Sequence, residues 1–405
     1  MKILQVTPYF PPTRSYGGPP DVIFDLSRHL IEKGNYIEVF TTDVFDKSSR
    51  FGTGERTEYQ GVPVTYFRNI SNRLAYSQKV FTPKGMRKKL KNSLREFDIV
   101  HIHEFRTFLS VVTSDLCRRY SVPYVLSSHG ALLPFFQKQG IKKIFDLIFG
   151  KKILEGSSAF LAVSESEASQ YEKMGAEREK VHIVPYGIDV SRYLKTRGEG
   201  SFRKKYGIGK SPLILFVGRI NRIKGLDFLI EAFARLKQVQ PHSMLAVVGT
   251  NDGYLEELRN IVSSNTLNDS VIFTGTVSED EKMQAYADAD IFVYTSRYEV
   301  FGMSPVEALL CGTPSIIAKG SGLFDLLNKI DYPYAVEFGD CDGLLRLIVK
   351  VLNDEKESAS ITKKAAEFLK NEIDIPVISE RIFEVYRKVL SPNSQAKDRD
   401  VRNMR

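Results

Sequence analysis

At 405 residues, 42% of them apolar and 26% charged, the chain has the make-up of a globular protein of about two domains, which excludes disorder as its general state. Cys117, Cys311 and Cys341 stand at unrelated spacings, which excludes a disulfide framework or a cysteine zinc site and fits a reducing, cytosolic setting. The net charge of +8 sits in the first half, where residues 1–190 hold 27 Lys and Arg against 20 Asp and Glu, an excess that decides neither for nucleic acid nor for an anionic membrane.

The opening M-K-I-L-Q-V-T-P is too short in its apolar part for a signal peptide and reads as a first strand; no apolar run reaches the ~18 residues of a membrane span. Short apolar runs then alternate with helical patterns. Strands are predicted at Ile3–Val6, Ile37–Thr41, Val62–Phe67, Ile99–Ile102, Tyr124–Ser127, Phe160–Val163 and Ile183–Val184, with helices such as Val22–Glu32, Lys84–Glu96 and Glu165–Met174 between them. A polar, Gly-rich stretch, Arg197–Pro212, interrupts the pattern. It resumes with strands at Leu213–Val217, Ala246–Val248, Val271–Phe273, Ile291–Tyr294 and Ser315–Ile317, a helix at Leu226–Leu236 and one from Met303 that stops at Gly312. Alternation of this kind implies parallel sheets covered on both faces, here two doubly wound Rossmann-like α/β domains facing a central cleft. The boundaries read as 1–190, 191–375, a C-terminal helix at 376–390 packing back on the first domain, and a disordered tail at 391–405.

Several turns carry chemistry. After the first strand, the loop to Pro20 holds five prolines and the pair Gly17–Gly18, where the backbone can approach a phosphate or sugar closely. In H-I-H-E-F, His101 and His103 share one strand face and suit packing or hydrogen bonding better than metal binding, because no further His/Cys cluster accompanies them. His129 follows a strand and precedes Gly130 at the carboxyl-end crest. In G-R-I-N-R-I-K-G, Arg219 and Lys224 are cations at a strand-to-helix turn, suited to a diphosphate. Ser278, with Glu281 three residues on, reads as a helix N-cap. Glu299 lies in the loop beyond a strand's carboxyl end, and Glu307 on the first turns of the next helix, a pairing that suits a sugar nucleotide.

These residues together resemble the retaining glycosyltransferases of family 4, which have the GT-B fold. The resemblance rests on G-G after the first strand, H-G at 129–130, P-Y-G-I-D at Pro185–Asp189, V-G-R-x-x-x-x-K-G at Val217–Gly225 and E-x7-E at Glu299–Glu307, and it covers nearly the whole chain. It implies that Arg219 and Lys224 bind the donor diphosphate and Glu307 the ribose. Glu299 would hold hydroxyls of the donor sugar, helped by backbone N–H groups of Phe301, Gly302, Met303 and Ser304. Gly17 and Gly18 would close over the phosphates, His129 would stand beside the reacting sugar, and Val277 near the base. The resemblance also implies a UDP- or GDP-sugar donor with no required metal or other cofactor, and a glycan or polyprenyl-linked acceptor. Two departures are Val300, where a small residue is common, and Ser321–Leu327 in place of a Gly-rich turn with Pro-Glu.

Two basic segments raise a membrane partner, against the ordinary reading of each as a core-facing stripe with a solvated basic face. Lys84–Phe97 lines up Met86, Leu90, Leu94 and Phe97 on one helical face among six cations, and Phe135–Leu154 mixes aromatics with lysines. The expectation is a cytoplasmic enzyme, peripheral on the inner face of the cell membrane, extending a polysaccharide or glycoconjugate. The rival readings are a sugar-nucleotide epimerase or phosphorylase on the same plan and a non-catalytic binding protein. A nucleic-acid partner is not expected, because the basic first half lacks interleaved aromatics.

Overall fold

The computed structural model describes residues 1–13, 17–51, 56–132, 139–194 and 200–391. The tail predicted at 391–405 thus lies, after Ser391, outside the described residues, as do residues 135–138 of the second basic segment and residues 197–199 of the interdomain stretch. The chain forms two compact units, one of Met1–Ile188 with the stretch that begins at Ile375, the other of Asp189–Asp374.

The first unit holds β1 (Lys2–Val6), β2 (Tyr36–Thr42), β3 (Arg56–Tyr59), β4 (Val62–Phe67), β5 (Ile99–His103), β6 (Tyr124–Ser127), β7 (Ala159–Ala162) and β8 (Val181–Ile183). They form one sheet in the order β3-β4-β2-β1-β5-β6-β7-β8, parallel except that β3 runs antiparallel to β4. Near-continuous apolar strands are what a sheet covered on both faces requires. Successive residues point to opposite faces: Leu4, Val6, Val100, Ile102 and Leu126 enter one core cluster, and Ile3, Ile37, Ile99 and Val125 the other. The helix Ile375–Leu390 covers the second cluster with Ile378, Ile382, Val385, Tyr386 and Val389. Gly187 makes room for it, because a Cβ there would lie 2.8 Å from the Ile375 side chain.

Strand β3 was not legible as a strand. Its R-T-E-Y has no apolar run, and it forms because Gln60 and Gly61, both at positive φ (47° and 86°), make the two-residue hairpin turn that matches sheet twist. The Lys84–Phe97 stripe takes the core-facing one of its two readings, not the membrane one. The helix Met86–Ser93 and the 3-10 turn Leu94–Glu96 bury Met86, Leu90, Leu94 and Phe97 in the core of the first unit, so this apolar face is already covered by protein. Only its basic face is left to solvent.

The second unit holds β9 (Leu213–Val217), β10 (Met244–Val248), β11 (Val271–Gly275), β12 (Ile291–Tyr294), β13 (Ser315–Ala318) and β14 (Ala335–Val336), all parallel, in the order β11-β10-β9-β12-β13-β14. Both sheets are doubly wound. In the first the strand order reverses between β1 and β5, in the second between β9 and β12. Open α/β sheets bind ligands at such switch points, outside the strands' carboxyl ends.

Candidate functional site

The switch point of the second unit brings together the turn after β9 and the loop after β12. The first is Gly218–Gly225, ending in a 3-10 turn, Arg222–Lys224. Gly225 has φ 65° and starts the helix Leu226–Val239; a Cβ there would run into the Thr295 carbonyl oxygen, so the two loops touch only because this residue is glycine. The Arg297 N–H donates to Ile223 O at 2.7 Å, and the Ser296 hydroxyl to the same oxygen at 3.1 Å.

This clasp sets Lys224 against Glu299. The Lys224 ammonium donates to Glu299 Oε2 at 2.7 Å and to the Tyr294 hydroxyl at 2.6 Å; that hydroxyl in turn donates to Glu299 Oε2 at 2.8 Å. Burial by itself would raise the Glu299 pKa, but the Lys224 charge and the hydrogen bonds from Lys224 and Tyr294 hold it below its ordinary value. Glu299 is therefore a carboxylate, with Oε1 making no hydrogen bond among the described residues. Tyr294 is pushed well above its ordinary pKa by burial and then by Glu299, and it keeps its proton. Arg219 is held by Asp252, at 3.0 Å, which also accepts from Asn221 Nδ2 at 3.1 Å.

Beyond Glu299, the buried Phe301 and Gly302 (φ 105°) lead into the helix Met303–Leu310. Its first N–H groups, at Met303 and Ser304, have no partner within the helix. Pro305 falls in this first turn, where a missing N–H costs nothing. The turn Ser321–Leu327 supports the loop, with Gly322 N donating to Val300 O at 3.2 Å and Leu323 N to Phe301 O at 3.0 Å. Glu307 sits one turn in. Its Oε2 accepts from the Tyr286 hydroxyl at 2.8 Å and Lys282 at 3.1 Å, its Oε1 from the Tyr193 hydroxyl at 3.3 Å. Lys282 and Tyr286 come from the helix Glu279–Asp288, whose N-cap Ser278 accepts from Glu281 N at 3.2 Å. Val277 lies half-buried just before that cap. The structure thus brings Lys224, Glu299 and the 301–304 segment into one cluster and sets Glu307 on the adjoining helix. It adds Tyr294, Lys282, Tyr286 and Tyr193, which the sequence did not single out: their aromatic and aliphatic character made them read as ordinary core and helix surface.

The switch point of the first unit is built from the loop after β1 and the end of β5. Gly17 has φ 94°, and Gly18 caps the helix Pro19–Glu32. At the other end of this crest His129 (φ 50°) and Gly130 (φ 81°) follow β6. His129 Nε2 lies 2.9 Å from His103 Nδ1, and His103 Nε2 lies 2.7 Å from Gln5 Oε1. With Gln5 as acceptor, His103 carries its proton on Nε2, so His129 donates from Nε2 and its Nδ1, 2.9 Å from the Tyr186 hydroxyl, accepts. His101, its ring tilted against that of His103 with centroids 4.0 Å apart, is bound to Tyr386 and Ser127. Burial lowers His101 and His129 to about 3, so these rings are uncharged at neutral pH. Among the described residues, no group of three or more His, Cys, Asp or Glu is placed to hold a metal ion.

Two carboxyls of this crest escaped the sequence reading. Glu167 accepts from the Ser128 hydroxyl at 2.5 Å, Gly130 N at 2.6 Å and Val163 N at 2.8 Å, tying the turns after β6 and β7 together around His129. Glu104, the fourth residue of H-I-H-E-F, has φ 72° and accepts from the Tyr9 hydroxyl across the switch point. Burial raises its pKa to about 7, against the opposing effects of the Tyr9 hydrogen bond and Lys79, with Glu167 adding to the rise.

These groups set opposite pH slopes. The unfolded chain protonates His101 and His129 at 6.5, the folded protein only near 3, so their contribution to stability is present above 6.5 and lost as pH falls toward 3. Glu104 binds its proton more tightly when folded, so its contribution is present below 4.5 and lost as pH rises through about 7. A urea-denaturation series across pH is expected to show the alkaline loss shrinking in Glu104→Gln while the acid limb is unchanged.

Comparison with known proteins agrees with this geometry. Residues 16–192 match the family described as Glycosyltransferase Family 4, and residues 199–368 the one described as Glycosyl transferases group 1. A glycosyltransferase of Methanocaldococcus jannaschii is 27% identical, covering 81% of this chain and 83% of its own. D-inositol 3-phosphate glycosyltransferase of Kineococcus radiotolerans is 26% identical over 77% of this chain and 75% of its own. In fold, the chain is similar to Anabaena HepE, solved with UDP and glucose, at a TM-score of 0.76 and 21% identity, covering 96% of this chain and 100% of that one. Each half of the chain thus carries a glycosyltransferase domain on the sheet where its motifs lie, and the protein belongs to the family 4 glycosyltransferases of GT-B fold.

Proposed function

We propose that the protein is a retaining hexosyltransferase that moves a sugar from a UDP- or GDP-sugar to a glycan or lipid-linked acceptor, in the synthesis of a cell-surface polysaccharide or glycoconjugate. The observation that carries this reading is the Lys224–Tyr294–Glu299 cluster at the second unit's switch point, beside the helix start at Met303 and with Glu307 on that helix. A nucleotide-sugar bond breaks as charge builds on the leaving diphosphate. Arg219, Lys224 and the free N–H groups at the helix start are donors suited to that charge. Glu299 Oε1 is available to accept from donor-sugar hydroxyls, and Glu307 is suited to ribose hydroxyls. Gly17, Gly18, His129 and Val277 keep the roles that the family resemblance gives them: phosphate contact, the reacting sugar's neighbour and the base's neighbour. No step in this scheme is assigned to a metal. UDP as the donor's nucleotide is supported by the Anabaena structure with UDP and glucose.

An anionic acceptor is supported twice. The relatives include enzymes named for inositol 3-phosphate and malate. A recess of about 350 Å³ at the end of β4 is lined by Arg56, Arg68, Lys84 and Lys89. Attachment to the cytoplasmic face of a membrane is supported by the helical stretch 139–156. There Ile144, Leu147 (83% exposed), Ile148 and Phe149 lie open to solvent beside Lys143, Lys151 and Lys152. No described helix is long and apolar enough to cross a membrane.

Calorimetry with UDP-, GDP- and dTDP-sugars tests the donor reading. One of them is expected to bind the wild type and to lose binding in Glu307→Ala; no binding by folded wild-type protein would overturn it. Retention is checked by NMR of the product's anomeric configuration. Sedimentation with phosphatidylglycerol vesicles is expected to pull down the wild type but not Leu147→Ser/Lys151→Glu/Lys152→Glu, and equal binding by both would remove the membrane from the scheme.

A further inference from the structure

The first unit's own switch point holds a carboxyl that the donor site leaves unused. β1 and β5 lie side by side there, and the chain leaves them in opposite directions across the sheet. The loop after β1 supplies Tyr9, and the residue following β5 is Glu104. Glu104 is not a glycine, yet it is held in the left-handed region at φ 72°, with its N–H donating to Ser127 O at 2.8 Å. Such a conformation persists where the surroundings hold it in place.

The surroundings also define what the carboxyl can do. Its Oε1 accepts from the Tyr9 hydroxyl, and Oε2 has no hydrogen bond among the described residues. The residue as a whole is partly exposed. A second carboxylate, Glu167, is fully occupied by three donors and is not available for a ligand. The neighbouring histidines have both ring nitrogens engaged. Among these side chains, Glu104 is thus the one with an acceptor atom left for a hydroxyl-bearing molecule.

We propose that Glu104, oriented by Tyr9, is the residue of the first unit that binds a hydroxyl of the sugar acceptor, so that acceptor binding requires its ionised form. This rests on the glycosyltransferase reading above and adds to it the residue and the group it reads: a pyranose or polyol hydroxyl of the acceptor, accepted by a carboxylate. No bond is made or broken in the step; the acceptor hydroxyl donates to Glu104 Oε2. The groups that set the ionisation are Tyr9 from the loop after β1, Lys79 at the end of the helix Asn72–Gln78, and Glu167 from the helix Glu165–Lys173. The carboxylate form dominates above about pH 7 and is lost below it.

Saturation-transfer NMR on the full chain tests this, with methyl α- and β-glycosides of glucose, galactose, mannose and N-acetylglucosamine as probes at pH 8 and pH 6. At least one glycoside is expected to bind the wild type at pH 8 and about tenfold more weakly at pH 6. Glu104→Gln keeps an oxygen for Tyr9 but cannot ionise; it is expected to bind at the weaker level at both pH values. Tyr9→Phe is expected to weaken binding while keeping the pH dependence. UDP-sugar binding, followed in the same samples, is expected to be unchanged in both variants. Glycoside binding equal in wild type and Glu104→Gln, or independent of pH, would overturn the proposal, as would no glycoside binding by protein that binds a UDP-sugar. Loss of UDP-sugar binding in the wild type itself would instead strike the donor reading.

Discussion

Replacing Lys224 with alanine is expected to lower turnover by about 10²–10³-fold, the usual effect of removing one preorganised donor from the charge that develops in a transition state. The structure makes this residue hard to replace. Its ammonium is held at 2.7 Å from Glu299 and 2.6 Å from Tyr294, and its side chain is only 14% exposed. The substitution also strands Glu299, whose pKa is kept low largely by the Lys224 charge against the effect of burial. Breaking one partner of such a pair costs more than removing both, because the remaining charge is left without compensation. Thermal melts should therefore rank Lys224→Ala below Lys224→Ala/Glu299→Ala in stability, while both lose activity. A single variant with near-normal turnover would remove Lys224 from the chemistry.

Glu167→Gln is the second substitution with a large expected effect. The carboxylate accepts from Ser128, Gly130 and Val163, all of them buried or partly buried donors. A glutamine can still accept on one atom, but its amide would face an N–H, so at least one donor loses its partner. Leaving a buried donor unsatisfied costs about 1–3 kcal/mol, and more where the lost acceptor was charged. The turn that Glu167 holds carries His129 at φ 50°, a conformation that needs such support. Turnover is expected to fall at least tenfold even at temperatures well below the melt, because the turn loosens before the unit unfolds. Measuring kcat alongside the thermal midpoint separates the two effects: loss confined to the midpoint would make Glu167 purely structural.

Much of this protein was legible in its sequence. Leu213–Val217 and Ile291–Tyr294 are strands with the bounds that their apolar runs suggest, and the helix from Met303 ends where Gly312 requires. The alternation of such runs with helical periods leads directly to parallel sheets, because strands buried on both faces must be apolar throughout. The turn 218–225 and the pair Glu299–Glu307 were identifiable for the same local reason: glycine, charge and helix starts are properties of a few adjacent residues.

What the sequence determined by itself was therefore most of the order of elements, short of β3 and β14, the two sheets and the motif turns, all set by short-range periodicity and backbone preference. The tertiary structure decided which strands are neighbours, and so where the chain reverses across each sheet. That choice joins Lys224 to Glu299 across 75 residues and Tyr9 to Glu104 across 95. It also decided that the stripe of Met86, Leu90, Leu94 and Phe97 faces the core. An apolar face has the same pattern whether it meets a membrane or a protein interior, and only packing distinguishes the two.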